Sequence, residues 1–144
     1  MVNLVIVSHS LLLAQGVKQL SDEMINTGST HEIPSSHKPK IVAVGGVKHH
    51  GSWGLGTNSI EIAEAIRRVW SHDGVLILAD LGSALINAEM AIEFLDEPMR
   101  DRCLVSNAPL VEGSVIASME ASLGKTLSQV EEAANAACQL VKTV

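Results

Sequence analysis

A chain of 144 residues, 47% of them hydrophobic, can bury one compact core and is too short to argue for two. A net charge of −6 without any Lys/Arg cluster argues against a phosphate-backbone binder, and an aromatic share of 2% with no Tyr leaves almost nothing for a base-stacking platform. No apolar run approaches the roughly 18 to 20 residues that span a bilayer, and the amino terminus shows no basic segment followed by a long apolar one, so residues 1–144 read as a single cytoplasmic domain.

Four short apolar runs punctuate the chain: Leu4 to Val7, Ile41 to Val44, Val75 to Ala79 and the weaker Cys103 to Val105. Continuous rather than alternating apolar character predicts strands covered on both faces, as in a parallel sheet. After the first run, Leu13, Val17, Leu20 and Met24 recur at helical spacing, which predicts a helix that buries this stripe, with Ser10 as its cap and Gly16 weakening it slightly. Residues 26–40 are polar, hold two prolines and read as a loop. The second strand runs into Gly45 and Gly46, and residues 47–57, "VKHHGSWGLGT", also read as a loop. A second helix follows, with Asn58 and Glu61 at capping-box spacing, an inward stripe of Ile60, Ala63, Ile66 and Val69, and a wet face of Glu61, Glu64, Arg67 and Arg68.

The third helix, "LGSALINAEMAIEFL", is interrupted only by Asn87, Glu89 and Glu93 around an apolar circumference. One side should pack on the sheet; Ile86, Met90 and Phe94 on the other are available to a second chain or to a neighbouring helix of the same one. A fourth helix opens at Pro109 and stops at Gly124, with Gly113, Ala117 and Ala121 as a small-residue edge. A fifth starts near Ser128, paired with Glu131 as a second capping box, and runs through Val130, Ala134, Ala137 and Val141. Cys103 and Cys138 lie far apart, lack zinc-site or redox-pair spacing, and read as small buried apolar residues. The pattern predicts an α/β fold: an open, mainly parallel four-stranded sheet of order 2-1-3-4 with helices on both faces.

In such a sheet the ligand site lies beyond the carboxyl ends of the strands, where strand order reverses. His9 ends the first strand and Asp80 the third, so the two should face each other there. A carboxylate on one ring nitrogen fixes the imidazole tautomer and leaves the other nitrogen free to react. Gly82, Ser83 and Ala84 open the third helix, and their N–H groups can hold an anion in the same crevice. That set suits phosphoryl transfer through a phosphohistidine. The plainer alternatives are a structural His9 and an Asp80 that only caps the third helix.

Other motifs fail. "GSWGLG" has its glycines in the wrong order and place for a dinucleotide fingerprint, and "LGKT" has Met119 where a P-loop needs glycine, so no autonomous nucleotide site is expected. His31, His37, His49, His50 and His72 are scattered and read as solvated loop histidines rather than metal ligands. Glu112 is either a rim carboxylate or a first-turn Glu favoured by the helix dipole.

"MVNLVIVSHS", "ADLGSALINAEMAIEFL" and "APLVEGSVIASMEASLG", in this order, resemble the phosphotransferase subunits of phosphoenolpyruvate-dependent dihydroxyacetone kinases, relatives of mannose-type enzyme IIA domains. The resemblance covers nearly the whole chain. It implies a homodimer that accepts a phosphoryl group from the histidine-containing phosphocarrier protein (HPr) and passes it to ADP on a separate kinase subunit, whose ATP then phosphorylates dihydroxyacetone. ADP and ATP would stay on that subunit, so this chain would hold no cofactor. By the same resemblance His9 is the phosphorylated residue, Asp80 orients it, Gly82 and Ser83 line the phosphoryl pocket, and Thr57 matches a polar position near the site. Ser8 and Ser10 would help bind the anion or cap the first helix, the cap being the role assigned to Ser10.

Two features depart from the family. Some members carry further phosphocarrier domains, whereas this sequence stops after the enzyme IIA-like part and must receive phosphate from a separate carrier or be a fragment. Residues 46–58 are also unusually rich in His and include Trp53, which is either a partner contact or packed on its own helix. Two competing readings are a transport or regulatory mannose-type enzyme IIA domain that serves sugar uptake through an enzyme IIB protein or a permease, and a dimeric scaffold in which His9 is structural.

Overall fold

The computed structural model describes residues 1–27 and 33–144. Its strands are β1 (Asn3–Ser8), β2 (Ile41–Gly45), β3 (Val47–His49), β4 (Ser52–Gly54), β5 (Val75–Ala79) and β6 (Cys103–Val105). Its α-helices are α1 (Leu11–Thr27), α2 (Ser59–Val69), α3 (Gly82–Glu93), α4 (Leu110–Ser122) and α5 (Leu127–Ala136). The main sheet has the order β2-β1-β5-β6 with every pairing parallel. These are the four predicted strands in the predicted order 2-1-3-4. The reversal of direction falls between β1 and β5.

Because successive strand residues point to opposite faces, the apolar runs feed two cores. Val5, Val7, Val75 and Ile77 meet Ile62, Ile66, Ala84 and Ala88 of α2 and α3. Leu4, Ile6, Leu76 and Leu78 meet Ala14, Val17, Ala117 and Val130 of α1, α4 and α5. Gly113, the start of the predicted small-residue edge, sits so close to the sheet side of α4 that a Cβ there would lie 2.6 Å from the Ala108 Cβ. The end of α4 is a Schellman turn: Gly124 (φ 78°) and Lys125 donate to the carbonyls of Ala121 and Glu120.

Several expectations need correction. On α1 the buried residues are Ala14, Val17, Ser21 and Ile25, while Leu13, Leu20 and Met24 are exposed. Small residues decide this: Ala14 and Ser21 let α1 approach the buried Gly113, Ser114, Ala117 and Ser118 of α4, which rotates the larger side chains to the flank. Ile60 is exposed, so the α2 stripe begins at Ile62 and Ala63. Asn58 accepts from the Ile60 and Glu61 amides as expected of a cap. The capping box of α5 is Thr126 with Gln129, two residues ahead of the predicted pair, and the helix ends before Val141, which is exposed. Cys138 is exposed, contrary to expectation, because it lies in the 3-10 turn past the end of α5; Cys103 is buried.

The largest omission is the β3–β4 hairpin inside the segment read as a loop. Its two-residue turn, His50 (φ 49°) and Gly51 (φ 83°), has both residues left-handed, as the tight hairpin turn matching strand twist requires. Ile86 and Met90 of α3 and Phe94 just past its end are exposed, so no neighbouring helix of the described residues covers them. Of the scattered histidines, His37, His49, His50 and His72 are exposed, and His31 lies outside the described residues.

Candidate active site

β1 ends at Ser8 and α1 begins at Leu11, so His9 and Ser10 form the whole turn between them. Close packing sets this turn. A Cβ on Gly45, at the end of β2, would lie 2.1 Å from the Ser8 carbonyl oxygen, so only glycine allows the two strand ends to meet. On the other side the Asp80 N–H donates to the Val7 carbonyl at 3.2 Å, and the Gly56 N–H donates to the His9 carbonyl at 2.9 Å.

Asp80 is the hub. Its Oδ1 accepts from the Leu81 N–H at 2.7 Å and lies 2.9 Å from His9 Nδ1. Its Oδ2 accepts from the Ser8 hydroxyl at 2.8 Å and the His9 N–H at 3.0 Å. Burial pushes this carboxyl's pKa up, but the donors of His9, Ser8 and Leu81 outweigh it and hold the group below its ordinary value, ionised at neutral pH. An ionised carboxylate can only accept, so the proton between it and the ring sits on Nδ1 and Nε2 carries the lone pair. Nε2 faces the Ser83 Oγ at 2.5 Å. The His9 side chain is 24% exposed, so part of the ring reaches solvent, while the Asp80 side chain is more covered.

Asp80 does not cap α3, since its oxygens are committed to β1, His9 and the Leu81 amide. Among the described residues no side chain caps that helix, so the Gly82 and Ser83 amides at its start remain open to an anion beside Nε2. A Cβ on Gly82 would meet nothing within 4 Å, which marks open space at the rim.

The structure therefore joins His9, Asp80 and Ser83 as expected. Ser10 takes the capping role assigned to it rather than an anion-binding one: its Oγ accepts from the Leu13 N–H at 3.3 Å. Thr57 makes no hydrogen bond to His9; its Oγ1 accepts from the Asn87 side chain at 2.5 Å, tying the loop before α2 to α3. Ser8 is wholly buried and bonded to Asp80, so in this arrangement it does not face an anion. Asn87 and the Ser8–Asp80 bond were not singled out from the sequence; the isolated polar Asn in the apolar third helix was the available signal for the first. Glu112, in the first turn of α4, pairs with Lys142.

A cleft of about 410 Å³ lies beside the turn, lined by Leu11, Leu12, Gly46, Trp53 and Leu55. Trp53 packs over Gly46 yet stays 57% exposed. Leu12 in the first turn of α1, Leu55 beside Gly56 and Leu81 beside Asp80 are exposed as well. A larger depression of about 700 Å³ lies at the opposite, amino ends of the strands, against Met1, Asp73, Arg102 and Lys125, away from this chemistry. No group of three or more metal-ligating side chains occurs among the described residues, and no described helix is long and apolar enough to cross a membrane.

Residues 3–131 match the family described as "PTS system fructose IIA component" (EIIA-man). The chain belongs to that family. This enzyme IIA chain is 38% identical over 138 residues to "PEP-dependent dihydroxyacetone kinase, phosphoryl donor subunit DhaM" of Klebsiella michiganensis, an alignment covering 94% of this chain and 27% of that protein. It is 35% identical over 120 residues to "PEP-dependent dihydroxyacetone kinase 2, phosphoryl donor subunit DhaM" of Listeria innocua, covering 83% and 86% of the two chains. The enzyme IIA chain thus spans about a quarter of the longer curated relatives (25–27%) but most of the shorter one. Among solved structures it resembles EF1359, a protein described as of unknown function, with a TM-score of 0.74 and 29% identity over 93% of this chain and 92% of that one.

Proposed function

We propose that this chain is the phosphohistidine relay subunit of a phosphoenolpyruvate-dependent dihydroxyacetone kinase. The observation that carries the reading is the ring geometry at His9: Nδ1 on the Asp80 carboxylate and Nε2 turned to the open start of α3. The relatives named as phosphoryl donor subunits support the assignment of the pathway.

In the first half-reaction the Nε2 lone pair attacks the phosphorus carried by the histidine of the phosphocarrier protein, HPr. The new N–P bond forms as the donor's N–P bond breaks, and Nδ1 keeps its proton on Asp80, which stabilises the charge developing on the ring. The Ser83 hydroxyl, which donates to Nε2 at rest, turns to a phosphoryl oxygen, and the Gly82 and Ser83 amides hold the others. In the second half-reaction a terminal phosphate oxygen of ADP on the kinase subunit attacks, and the N–P electrons return to Nε2. Both partners reach His9 across the exposed rim of Leu12, Trp53, Leu55 and Leu81, a surface suited to a protein rather than a polyanion. The exposed stripe of Ile86, Met90 and Phe94 supports a homodimer formed along α3; light scattering that finds a monomer at micromolar concentration refutes it.

The family description favours one alternative, an enzyme IIA that feeds or regulates sugar uptake. A transfer assay separates the two. Wild type and His9→Ala are incubated with phosphoenolpyruvate and the two general phosphotransferase proteins, then with the ADP-loaded kinase and dihydroxyacetone. Label on His9 that drains into dihydroxyacetone phosphate supports the relay. Label that the active kinase cannot discharge moves the assignment to sugar uptake, and no label with active carriers overturns the phosphohistidine itself.

A further inference from the structure

We infer that Ser8 is a positioning residue for phosphoryl transfer, acting through the second oxygen of Asp80 to hold the His9 ring in its reactive tautomer. The inference rests on the reading of His9 as the nucleophile. Ser8 is 0% exposed, and its hydroxyl uses both its proton and its oxygen in hydrogen bonds. The Ser10 backbone N–H can only donate, so at 3.0 Å the Ser8 oxygen accepts from it, and the hydroxyl proton goes to Asp80 Oδ2 at 2.8 Å.

The consequence is for the plane of the carboxylate. Oδ1 faces the ring nitrogen and the Leu81 amide, and Oδ2 faces Ser8 and the His9 amide, so each oxygen is pinned by two donors. Ser8 is the one side-chain donor to Oδ2 among the described residues. Without it a single amide holds that oxygen, and the carboxylate can turn about its own axis, which carries Oδ1 out of line with Nδ1. The imidazole then populates the tautomer with the proton on Nε2, where no lone pair faces phosphorus. The backbone at Ser8 cannot drift to compensate, because Gly45 abuts its carbonyl on one side and β5 pairs with β1 on the other.

The test compares wild type, Ser8→Ala and Ser8→Thr, reading two quantities: the rate of phosphoryl transfer onto His9, and the tautomer of the unphosphorylated ring by nitrogen-15 NMR. Ser8→Ala should keep its circular-dichroism spectrum, lose about tenfold in rate, the scale of one hydrogen bond to a charged group, and show a larger Nε2–H population. Ser8→Thr, which keeps the hydroxyl, should restore both. A folded Ser8→Ala with the wild-type rate overturns the inference, and so does one that is slow with the wild-type tautomer. If Ser8→Ala does not fold, the threonine variant decides: a wild-type tautomer and rate uphold the role, and their loss in a folded protein removes it. If wild type itself takes no label from active carriers, the relay reading fails, while the tautomer comparison still judges the Ser8 contact.

Discussion

Replacing Asp80 with Asn keeps the volume and removes the charge, so it isolates what four converging donors demand of this side chain. An amide offers one oxygen and one NH2 group to positions where the carboxylate accepts from Leu81 N–H, His9 Nδ1–H, His9 N–H and Ser8 O–H. With the amide oxygen toward the ring, the NH2 confronts the His9 N–H, a donor left unsatisfied in a mostly covered site at a cost of about 1–3 kcal/mol. With the amide reversed, NH2 confronts the Leu81 N–H and drives the ring to the Nε2–H tautomer. For a domain of this size each kcal/mol lowers the melting temperature by roughly 2–4 °C. The first orientation alone therefore predicts a folded but measurably weakened protein. In either orientation the imidazole loses the charge that stabilises its protonated side during transfer, so the rate should fall by about 10²–10³, the usual worth of one preorganised electrostatic partner. Rapid-quench measurement of labelled phosphoryl arriving on His9, beside a thermal melt, checks both. A folded Asp80→Asn protein that accepts phosphoryl at the wild-type rate would refute the account of the carboxylate as the group that sets the ring.

The Asp80 carboxyl has a folded pKa below its ordinary 3.8, so the contacts that lower it add stability that is fully present above that value and lost as pH falls through the folded pKa. The melting-temperature gap between wild type and Asp80→Asn should accordingly narrow below pH 3.8, and a gap that widens on acidification contradicts the sign. Burial pushes the Cys103 thiol up to about 11, whereas Cys138 is exposed, so a thiol reagent at neutral pH should modify Cys138 alone until the protein is unfolded. Trp53→Ala should raise KM for the phosphoryl-carrying partner by about tenfold, the scale of an interface Trp, with kcat and melting temperature near wild type because the indole is more than half exposed. An unchanged KM assigns Trp53 no part in docking.

The strands and their order were legible because fully buried parallel strands leave continuous apolar runs, and the reversal between β1 and β5 brings His9 to Asp80 from topology alone. What the sequence did not disclose has physical causes. Helical spacing marks a stripe but not which of two adjacent stripes is inside, and on α1 the smaller residues Ala14 and Ser21 won because α4 presents glycine and alanine there. The β3–β4 hairpin is three residues a side and turns on His50-Gly51 rather than the commoner Asn-Gly, so its signal is weak. Ser8 carries no pattern at all: its part appears only when β1 and β5 are aligned and its hydroxyl meets Oδ2.

Leu12 in the first turn of α1 and Leu55 and Leu81 in the loops before α2 and α3 are exposed near His9, and Ile86 and Met90 of α3 and Phe94 just past its end are exposed as well. No acidic side chain lies in the turn 8–12 or at residues 81–86 to repel the phosphoryl group of the proposed relay. Phosphoryl transfer between proteins needs a partner that excludes water for one step and then leaves. Under the proposed relay, a small apolar rim around a polar, pre-bonded histidine would meet both needs: the rim would close the site on contact, and its limited area would let the partner go.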